Sequence, residues 1–268
     1  MVSSWKQPRP NDLPLMPEHP LERIANMPTG DIVVYYHVAQ MGNWREVVED
    51  QLRELRDSGL QEAASKIYVG MLGTEEANLP LDPKAEMLFH RPDLSEAEIP
   101  TLEALHRESM QGDFRVLYMH TKGVSYLKQN YNREAMTAWR KYLEYFCIGK
   151  WRECVGHLDE YDGVGCEYVG PRTRDTMVTS LLPSHFRGNF WWSKASYLRT
   201  LCPVRETITK PKYPFADQRR KAEYWLGTGE NFKAKSIFNL GKAYSQRGFL
   251  YRNVLRASVY MDKPTTPP

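Results

Sequence analysis

Cysteine is scarce in this chain, as are long apolar runs and any large excess of one charge sign. The 268 residues contain four cysteines, Cys147, Cys154, Cys166 and Cys202, with no CxxC pair. We therefore expect buried, reduced thiols and a reducing compartment, the cytoplasm. No apolar run approaches the roughly 18 residues that a membrane-spanning helix needs. The first residues lack the basic and apolar regions of a secretory signal, so we expect neither a membrane span nor export.

The charge balance argues against a nucleic-acid partner. The formal net charge is +3, with acids and bases interspersed rather than grouped in blocks. A basic stripe for RNA or DNA, or a polybasic patch for lipid, is therefore not expected, although a local anion site remains compatible with this composition. Because 41% of the residues are hydrophobic, the chain is able to bury a substantial core.

The chain divides into a short tail and one large domain. Residues 1–28 carry six prolines and little periodicity, which predicts an extended tail. We expect the remainder, residues 29–268, to form a single domain, because no internal repeat or low-complexity block interrupts it.

The first half of the domain alternates between strand and helix patterns. "DIVVYYHVAQ" is apolar almost throughout, as a strand covered on both faces should be, and an amphipathic helix that ends at Gly59 follows it. The further strands are predicted at 66–73, 85–90 and 114–119, with helices over 99–110 and over 132–160, the latter broken near Gly149. This alternation is typical of a parallel sheet in an α/β fold.

A cluster of polar residues follows the strand predicted at 114–119. "MHTKG" places an imidazole, a hydroxyl, an ammonium group and a glycine after a buried strand. Ligands of open α/β sheets bind beyond the carboxyl ends of the strands, so these residues suit a phosphate or diphosphate. The alternative is a surface turn with a solvated lysine at Lys122.

"HFRGNFWWSKASYL", residues 185–198, combines polar residues with consecutive aromatic ones. Aromatic faces beside amide and hydroxyl donors are typical of sites that bind sugars or nucleobases. The alternative is that Phe190 and Trp192 pack inward while Trp191 covers a neighbouring loop.

Glu223 is the acid within the basic segment "RRKAEYWLG". Neighbouring Arg219, Arg220 and Lys221 would keep its carboxylate ionised, as a general base must be. The alternative is a helical ion pair with one of those bases.

Several segments, taken in order, resemble a GT-A-type glycosyltransferase-like family found in bacteria and in large viruses of algae. The matching segments are "MHTKGVS" (119–125), "WRKYLEYF" (139–146), "DEYDGVGCEY" (159–168), "HFRGNFWW" (185–192) and "AEYWLG" (222–227). The resemblance spans roughly residues 31–227, and "GNFWW" is its most specific part. It implies a GT-A-like three-layer α/β/α fold with a mostly parallel central sheet.

The resemblance also implies roles for the two halves of the domain. Residues 29–130 would form the nucleotide-binding half, and residues 131–268 the sugar and acceptor half with a C-terminal extension. The implied partners are a UDP- or GDP-linked sugar donor and a glycan or small-molecule acceptor. The residues implied are Tyr35 and His37 for the nucleoside, His120, Thr121, Lys122 and Gly123 for the diphosphate, His185, Gly188, Asn189, Trp191 and Trp192 for the sugar or acceptor, and Glu223 as the catalytic base.

One feature departs from the pattern of many GT-A enzymes, which hold a divalent metal with an Asp-x-Asp motif at the end of the fourth strand. This chain has "HTKG" there, so Lys122 would take over part of the electrostatic task of the metal. A manganese or magnesium ion on His120, with Asp159 or Asp162, is a further possibility without motif support. A non-catalytic nucleotide- or carbohydrate-binding module of the same fold is the main alternative to an enzyme.

Overall fold

The computed structural model describes residues 31–76, 79, 82–126, 132–170, 172–173, 181–182, 184–207, 216–241, 249–261 and 263. The tail predicted over residues 1–28 lies outside these ranges.

A seven-stranded sheet runs through the centre of the structure. Its strands are β1 (Asp31–Ala39), β2 (Lys66–Leu72), β3 (Ala85–Arg91), β4 (Phe114–His120), β5 (Gly163–Cys166), β6 (Trp191–Lys194) and β7 (Ala234–Phe238). They are arranged in the order β7-β5-β6-β4-β1-β2-β3. Of these seven, β6 alone runs antiparallel to its neighbours. The four strands predicted in the first half are confirmed within a residue or two.

Short helices and turns connect these strands. The α-helices are α1 (Trp44–Asp57), α2 (Leu60–Ala63), α3 (Ile99–Ser109), α4 (Arg133–Glu144), α5 (Trp151–His157), α6 (Ala195–Leu198), α7 (Ala216–Trp225) and α8 (Phe249–Arg252). Single 3₁₀ turns lie at Leu94–Glu96, Val124–Tyr126, Val204–Glu206 and Ala257–Val259. Two-residue strands pair Tyr168–Val169 with His185–Phe186 and Arg172–Thr173 with Leu181–Leu182. The predicted helix end at Gly59 is confirmed, with φ of 74°.

The sheet separates two apolar cores, which gives the α/β/α layering that the sequence predicts. Val34 and Val38 of β1 pack on one face with α1, α4 and α5. Val33 and Tyr35 pack on the opposite face with α3, α6 and α7. Successive side chains of a strand point to opposite faces, so a strand covered on both sides must be apolar throughout. This requirement explains the nearly continuous apolar sequence of β1.

The strand order creates a switch point between β1 and β4. From β1 the chain passes to β2 and β3 on one side, and then returns to place β4 on the other side of β1. In open α/β sheets the connections that leave two such strands diverge, and a crevice is expected beyond their carboxyl ends. Any ligand of this sheet is expected there.

A π-helical turn at Tyr145–Gly149 interrupts the long helical region, which confirms the predicted break near Gly149. The Lys150 amide donates to the Tyr145 carbonyl at 3.1 Å, five residues earlier. The carbonyl of Cys147 in this turn accepts a hydrogen bond of 2.7 Å from the indole nitrogen of Trp192. This bond ties β6 to the helical layer beneath it.

All four cysteines carry free thiols. Cys147, Cys154 and Cys166 are buried as expected, and burial raises the thiol pKa of Cys154 and Cys166 well above its usual value. The expectation of burial is wrong for Cys202, which is exposed in the loop after α6. Within the described ranges no helix is long and apolar enough to cross a membrane.

We predict that Trp192→Phe destabilises the fold by about 1–3 kcal/mol, because the buried Cys147 carbonyl loses its donor. Trp44→Phe is the matched control, since the indole of Trp44 donates to Glu75, a half-exposed carboxylate that water is able to solvate instead. Urea unfolding of both variants measures the difference. Equal losses in the two variants would show that ring size, and not the hydrogen bond, determines the cost.

Candidate functional site

Two rows of side chains cross the sheet near the carboxyl ends of β1 and β4. In the first row, Tyr35 lies opposite Tyr118, which lies opposite Trp191. Two residues further along, His37 lies opposite His120, and these two residues form the polar row. Residues two apart on a strand share a face, so both rows point toward α3 and α7.

The first row is an aromatic row. Tyr118 and Trp191 stack with ring centres 4.9 Å apart, and Tyr35 lies 4.8 Å from Tyr68 of β2. All but Tyr68 are fully buried, and burial raises the pKa of the Tyr118 hydroxyl well above its usual value. The resemblance assigns Tyr35 to the nucleoside and Trp191 to the sugar or acceptor. Both residues therefore belong to this buried aromatic row.

Glu98, which immediately precedes α3, joins the two rows. Its Oε2 accepts hydrogen bonds from the Tyr118 hydroxyl at 2.8 Å and from Nδ2 of Asn189 at 2.6 Å. Its Oε1 lies 4.0 Å from Nδ1 of His120. Asn189 in turn accepts a hydrogen bond of 2.8 Å from the Trp191 indole. The carboxylate thus links α3 to the ends of β4 and β6.

The backbone beside Asn189 has an unusual conformation. Gly188 has φ of 94° and Asn189 has φ of 56°, in the left-handed region that glycine and asparagine adopt most readily. The Gly188 carbonyl pairs with Nε2 of His120 at 2.8 Å. A side chain at Gly188 would collide with Leu143, so glycine is required for this close approach.

His37 and His120 are neutral imidazoles. Burial lowers the pKa of His37 to about 4. Burial, followed by the charges of Lys122 and Arg219, lowers the pKa of His120 to about 3. Because His120 pairs with a carbonyl oxygen through Nε2, that nitrogen carries the proton and donates. His37 is held by a contact of 2.8 Å between its Nδ1 and the hydroxyl of Thr101.

The segment after β4 is anchored to the end of β1. The Thr121 amide donates to the His37 carbonyl at 3.0 Å, and the Thr121 hydroxyl accepts from the Ala39 amide at 2.9 Å. Gly123 turns the chain with φ of 94°. These bonds hold the "HTKG" segment at the switch point.

Lys122 is 8% exposed, and its ammonium nitrogen lies 4.0 Å from the centre of the Trp139 ring. The surface-turn interpretation of this segment is therefore wrong, because the lysine is held against an aromatic face instead of extending into solvent. The charge of Lys122 also contributes to the lowered pKa of His120, which places the ammonium group near the polar row.

Helix α7 carries Glu223, which is partly buried. The alternative of a helical ion pair is not supported, since no salt bridge of Glu223 occurs within the part of the chain that is described. Arg219 lies one turn earlier on α7, and its charge contributes to the lowered pKa of His120. The next residue, Tyr224, contacts the His185 ring with centres 4.9 Å apart.

The structure therefore brings Tyr35, His37, His120 and Trp191 to one face of the sheet, whereas Lys122, Gly123 and Gly188 adjoin α4. Trp192 points to the opposite face, where it packs in the core of α4 and α5 and donates to the Cys147 carbonyl. The inward packing of Trp192 and Phe190 confirms the alternative interpretation of these two positions.

Three residues that sequence reasoning missed are Glu98, Thr101 and Tyr118. Tyr118 shares the strand face of His120, and this alternation was readable from the sequence. Glu98 and Thr101 give no local signal, because only the packing of α3 on the sheet brings them to the strand ends. Gly70 of β2 leaves the space that the Thr101 hydroxyl occupies, since a side chain there would collide with it.

The described residues include no group of three or more His, Cys, Asp or Glu side chains arranged to hold a metal ion. The metal ligands suggested above, His120 with Asp159 or Asp162, each contact other residues instead. Asp159 pairs with Arg115 at 2.7 Å, and Asp162 lies 3.5 Å from the Lys194 ammonium.

Fold and site together define a mixed α/β protein with a polar cluster at the switch point of a mostly parallel sheet. The chain belongs to the family of the domain of unknown function DUF8361, whose model matches residues 33–241. This match includes most or all of every sheet strand, the polar cluster and α7. No curated protein matches the chain.

We predict that the free energy of unfolding decreases as the pH falls from about 7 toward 4. The unfolded chain binds protons at both imidazoles near pH 6.5, whereas His37 and His120 stay neutral in the fold until about pH 4 and 3. Each contributes at most about 1.4 kcal/mol per pH unit in that window.

Urea unfolding between pH 7.5 and 4.5 tests this, with His37→Asn as the comparison. The variant should show a shallower dependence on pH because it lacks one of the two groups. Parallel curves for the two proteins would contradict the neutral, buried imidazole.

Proposed function

We propose that this protein is a glycosyltransferase of GT-A type, which moves a sugar from a UDP- or GDP-linked donor to a hydroxyl group of a glycan or small molecule. The observation that carries the proposal is the nearly buried ammonium of Lys122, held beyond the carboxyl end of β4 at the switch point. Open α/β sheets bind nucleotides at this place. The "HTKG" to "GNFWW" resemblance supplies the class of reaction.

Lys122 supports the diphosphate role through its charge and its environment. Because a charge near a protein interior is screened less than one in water, a buried ammonium attracts a developing negative charge more strongly. In the proposed reaction the diphosphate becomes more negative as it leaves. Lys122 stabilises that state directly, with Thr121, Gly123 and the neutral His120 shaping the backbone around it.

The neighbouring polar row supports a site for the nucleoside and the sugar. His37 and Tyr35 lie on β1 beside the diphosphate position and are assigned to the nucleoside side. Asn189, Gly188 and Trp191 lie across β4 on the sugar and acceptor side, with His185 next to α7. Trp192 contributes from the opposite face by fixing β6.

The chemistry proposed is direct displacement at the anomeric carbon. The acceptor oxygen forms a bond to that carbon while its proton passes to the Glu223 carboxylate. The bond from the anomeric carbon to the phosphate oxygen breaks, and its electron pair leaves with the nucleoside diphosphate beside Lys122. Glu98 is less suited to accept the proton, because Tyr118 and Asn189 already occupy its Oε2. We assign a positioning role to Glu98. We also propose that the activity takes place in the cytoplasm, where the free thiols would stay reduced.

We predict that Glu223→Gln lowers sugar transfer by at least about a hundredfold without unfolding the protein, since a general base contributes about 10² to 10⁴ in rate. Glu230→Gln, an exposed position beyond the same helix, is the control and should keep wild-type activity. Release of nucleoside diphosphate from UDP- and GDP-sugars, with and without acceptors, measures the effect. Near-normal turnover in Glu223→Gln would remove this assignment.

We predict that UDP or GDP raises the melting temperature of the wild-type protein without added manganese. Binding to the folded state raises stability with the logarithm of the ligand excess. Lys122→Met should lose most of this shift, whereas Lys66→Met, on the exposed side of β2, should retain it. A nucleotide-binding wild type that releases no diphosphate from any sugar donor would favour the non-catalytic module instead.

A further inference from the structure

We propose that the indole N–H of Trp139 is a second donor to the diphosphate, which it binds together with the ammonium of Lys122. This inference rests on the proposed function, because it names a further contact for the same ligand. Trp139 lies on α4, and its ring forms the face against which Lys122 is held.

The first step is the state of the Trp139 nitrogen. Trp139 is 3% exposed, and among the residues that the structure describes its buried Nε1 has no hydrogen-bond partner. The other buried indoles of the described residues behave differently: those of Trp44, Trp151, Trp191, Trp192 and Trp225 donate at 2.7 to 3.1 Å. Buried polar groups without a partner are rare in folded proteins, and an absent ion or ligand is one of their physical explanations.

The second step is the direction of the two donors. The Lys122 ammonium lies above the Trp139 ring, 4.0 Å from its centre, whereas the N–H projects from the ring edge in the ring plane. The two donors therefore lie at the same ring, one above its face and one at its edge. A phosphate or diphosphate has several oxygens and is able to accept from both.

The third step is the surface beside the N–H. A side chain at Gly188 would lie 3.5 Å from Nε1 of Trp139, so the glycine backbone adjoins the edge that carries the donor. The Gly188 carbonyl is already paired with His120 and does not accept from Trp139. Trp139 thus connects the "HTKG" segment to the "GNFWW" segment, where the diphosphate and the sugar are proposed to meet.

Trp139→Phe tests the inference, because phenylalanine keeps an aromatic face under Lys122 and removes the N–H. We expect the dissociation constant for UDP or GDP, whichever the wild type binds, to rise about tenfold or more in calorimetric titrations, as loss of a hydrogen bond to a charged group predicts. The affinity for inorganic pyrophosphate should weaken similarly. Binding of the uncharged nucleoside should not change.

Trp151→Phe is the matched control, since the indole of Trp151, on α5, donates to the carbonyl of Ser58 just after α1. It should lose stability but keep the wild-type affinity. Indole N–H resonances provide a readout that a merely structural role would not affect: the signal absent from Trp139→Phe should move when pyrophosphate is added to the wild type.

The outcomes separate this inference from the proposed function. Wild-type affinity in a folded Trp139→Phe overturns the Trp139 contact and leaves the transferase intact. Trp139-dependent binding without any sugar transfer supports the contact and overturns the transferase. A wild type that binds neither a nucleoside diphosphate nor pyrophosphate overturns both.

Discussion

The hydrogen bonds of the Glu98 carboxylate are the interaction on which the proposed site depends most. Through one oxygen it holds Tyr118 of β4 and Asn189 just before β6, while its backbone belongs to the start of α3. Three elements that are distant in the sequence are thereby fixed at one point. If the carboxylate were lost, two buried donors would remain without an acceptor, and such groups are costly in a low-dielectric interior.

The opposite face of the sheet supplies a second support. The Tyr36 hydroxyl donates to Gln51 of α1 at 2.6 Å, and Gln51 donates to the His120 carbonyl at 3.1 Å. Arg140 of α4 pairs with Asp50 of α1 at 2.8 Å and with Glu144 at 3.0 Å. An ion pair thus joins α1 to α4, and a hydrogen bond joins α1 to the end of β4. Because Trp139 is a residue of α4, these contacts also help to hold it against Lys122.

The electrostatic character of the site also follows from burial. The imidazoles of His37 and His120 stay neutral because removal from water disfavours their charged forms. The charges of Lys122 and Arg219 lower the pKa of His120 further, whereas the charge of Glu98 opposes the shift at His37. The two imidazoles therefore carry no charge in the neutral pH range.

The sequence by itself determined the local elements of this protein. The apolar pattern of β1, the alternation of strands and helices, and the break near Gly149 were all predictable, because each depends on residues close together in the chain. It also predicted that polar groups follow β4 at its carboxyl end. The meeting of Asn189 and His120 at Glu98 did not follow from the general rule for parallel sheets, because β6 runs antiparallel to β4 and it is the beginning of β6 that lies at this edge.

Tertiary structure alone decided which face each residue of "GNFWW" occupies and which carboxylate enters the cluster. Trp191 and Trp192 carry the same chemistry, but alternation along β6 sends Trp191 to the aromatic row beside Tyr118 and Trp192 to the core of α4 and α5. Glu98 has ordinary acidic neighbours in the sequence, and only the packing of α3 brings it to Asn189. The lone N–H of Trp139 is equally invisible from the sequence, because a hydrogen bond depends on distance in space between groups that are far apart in the chain.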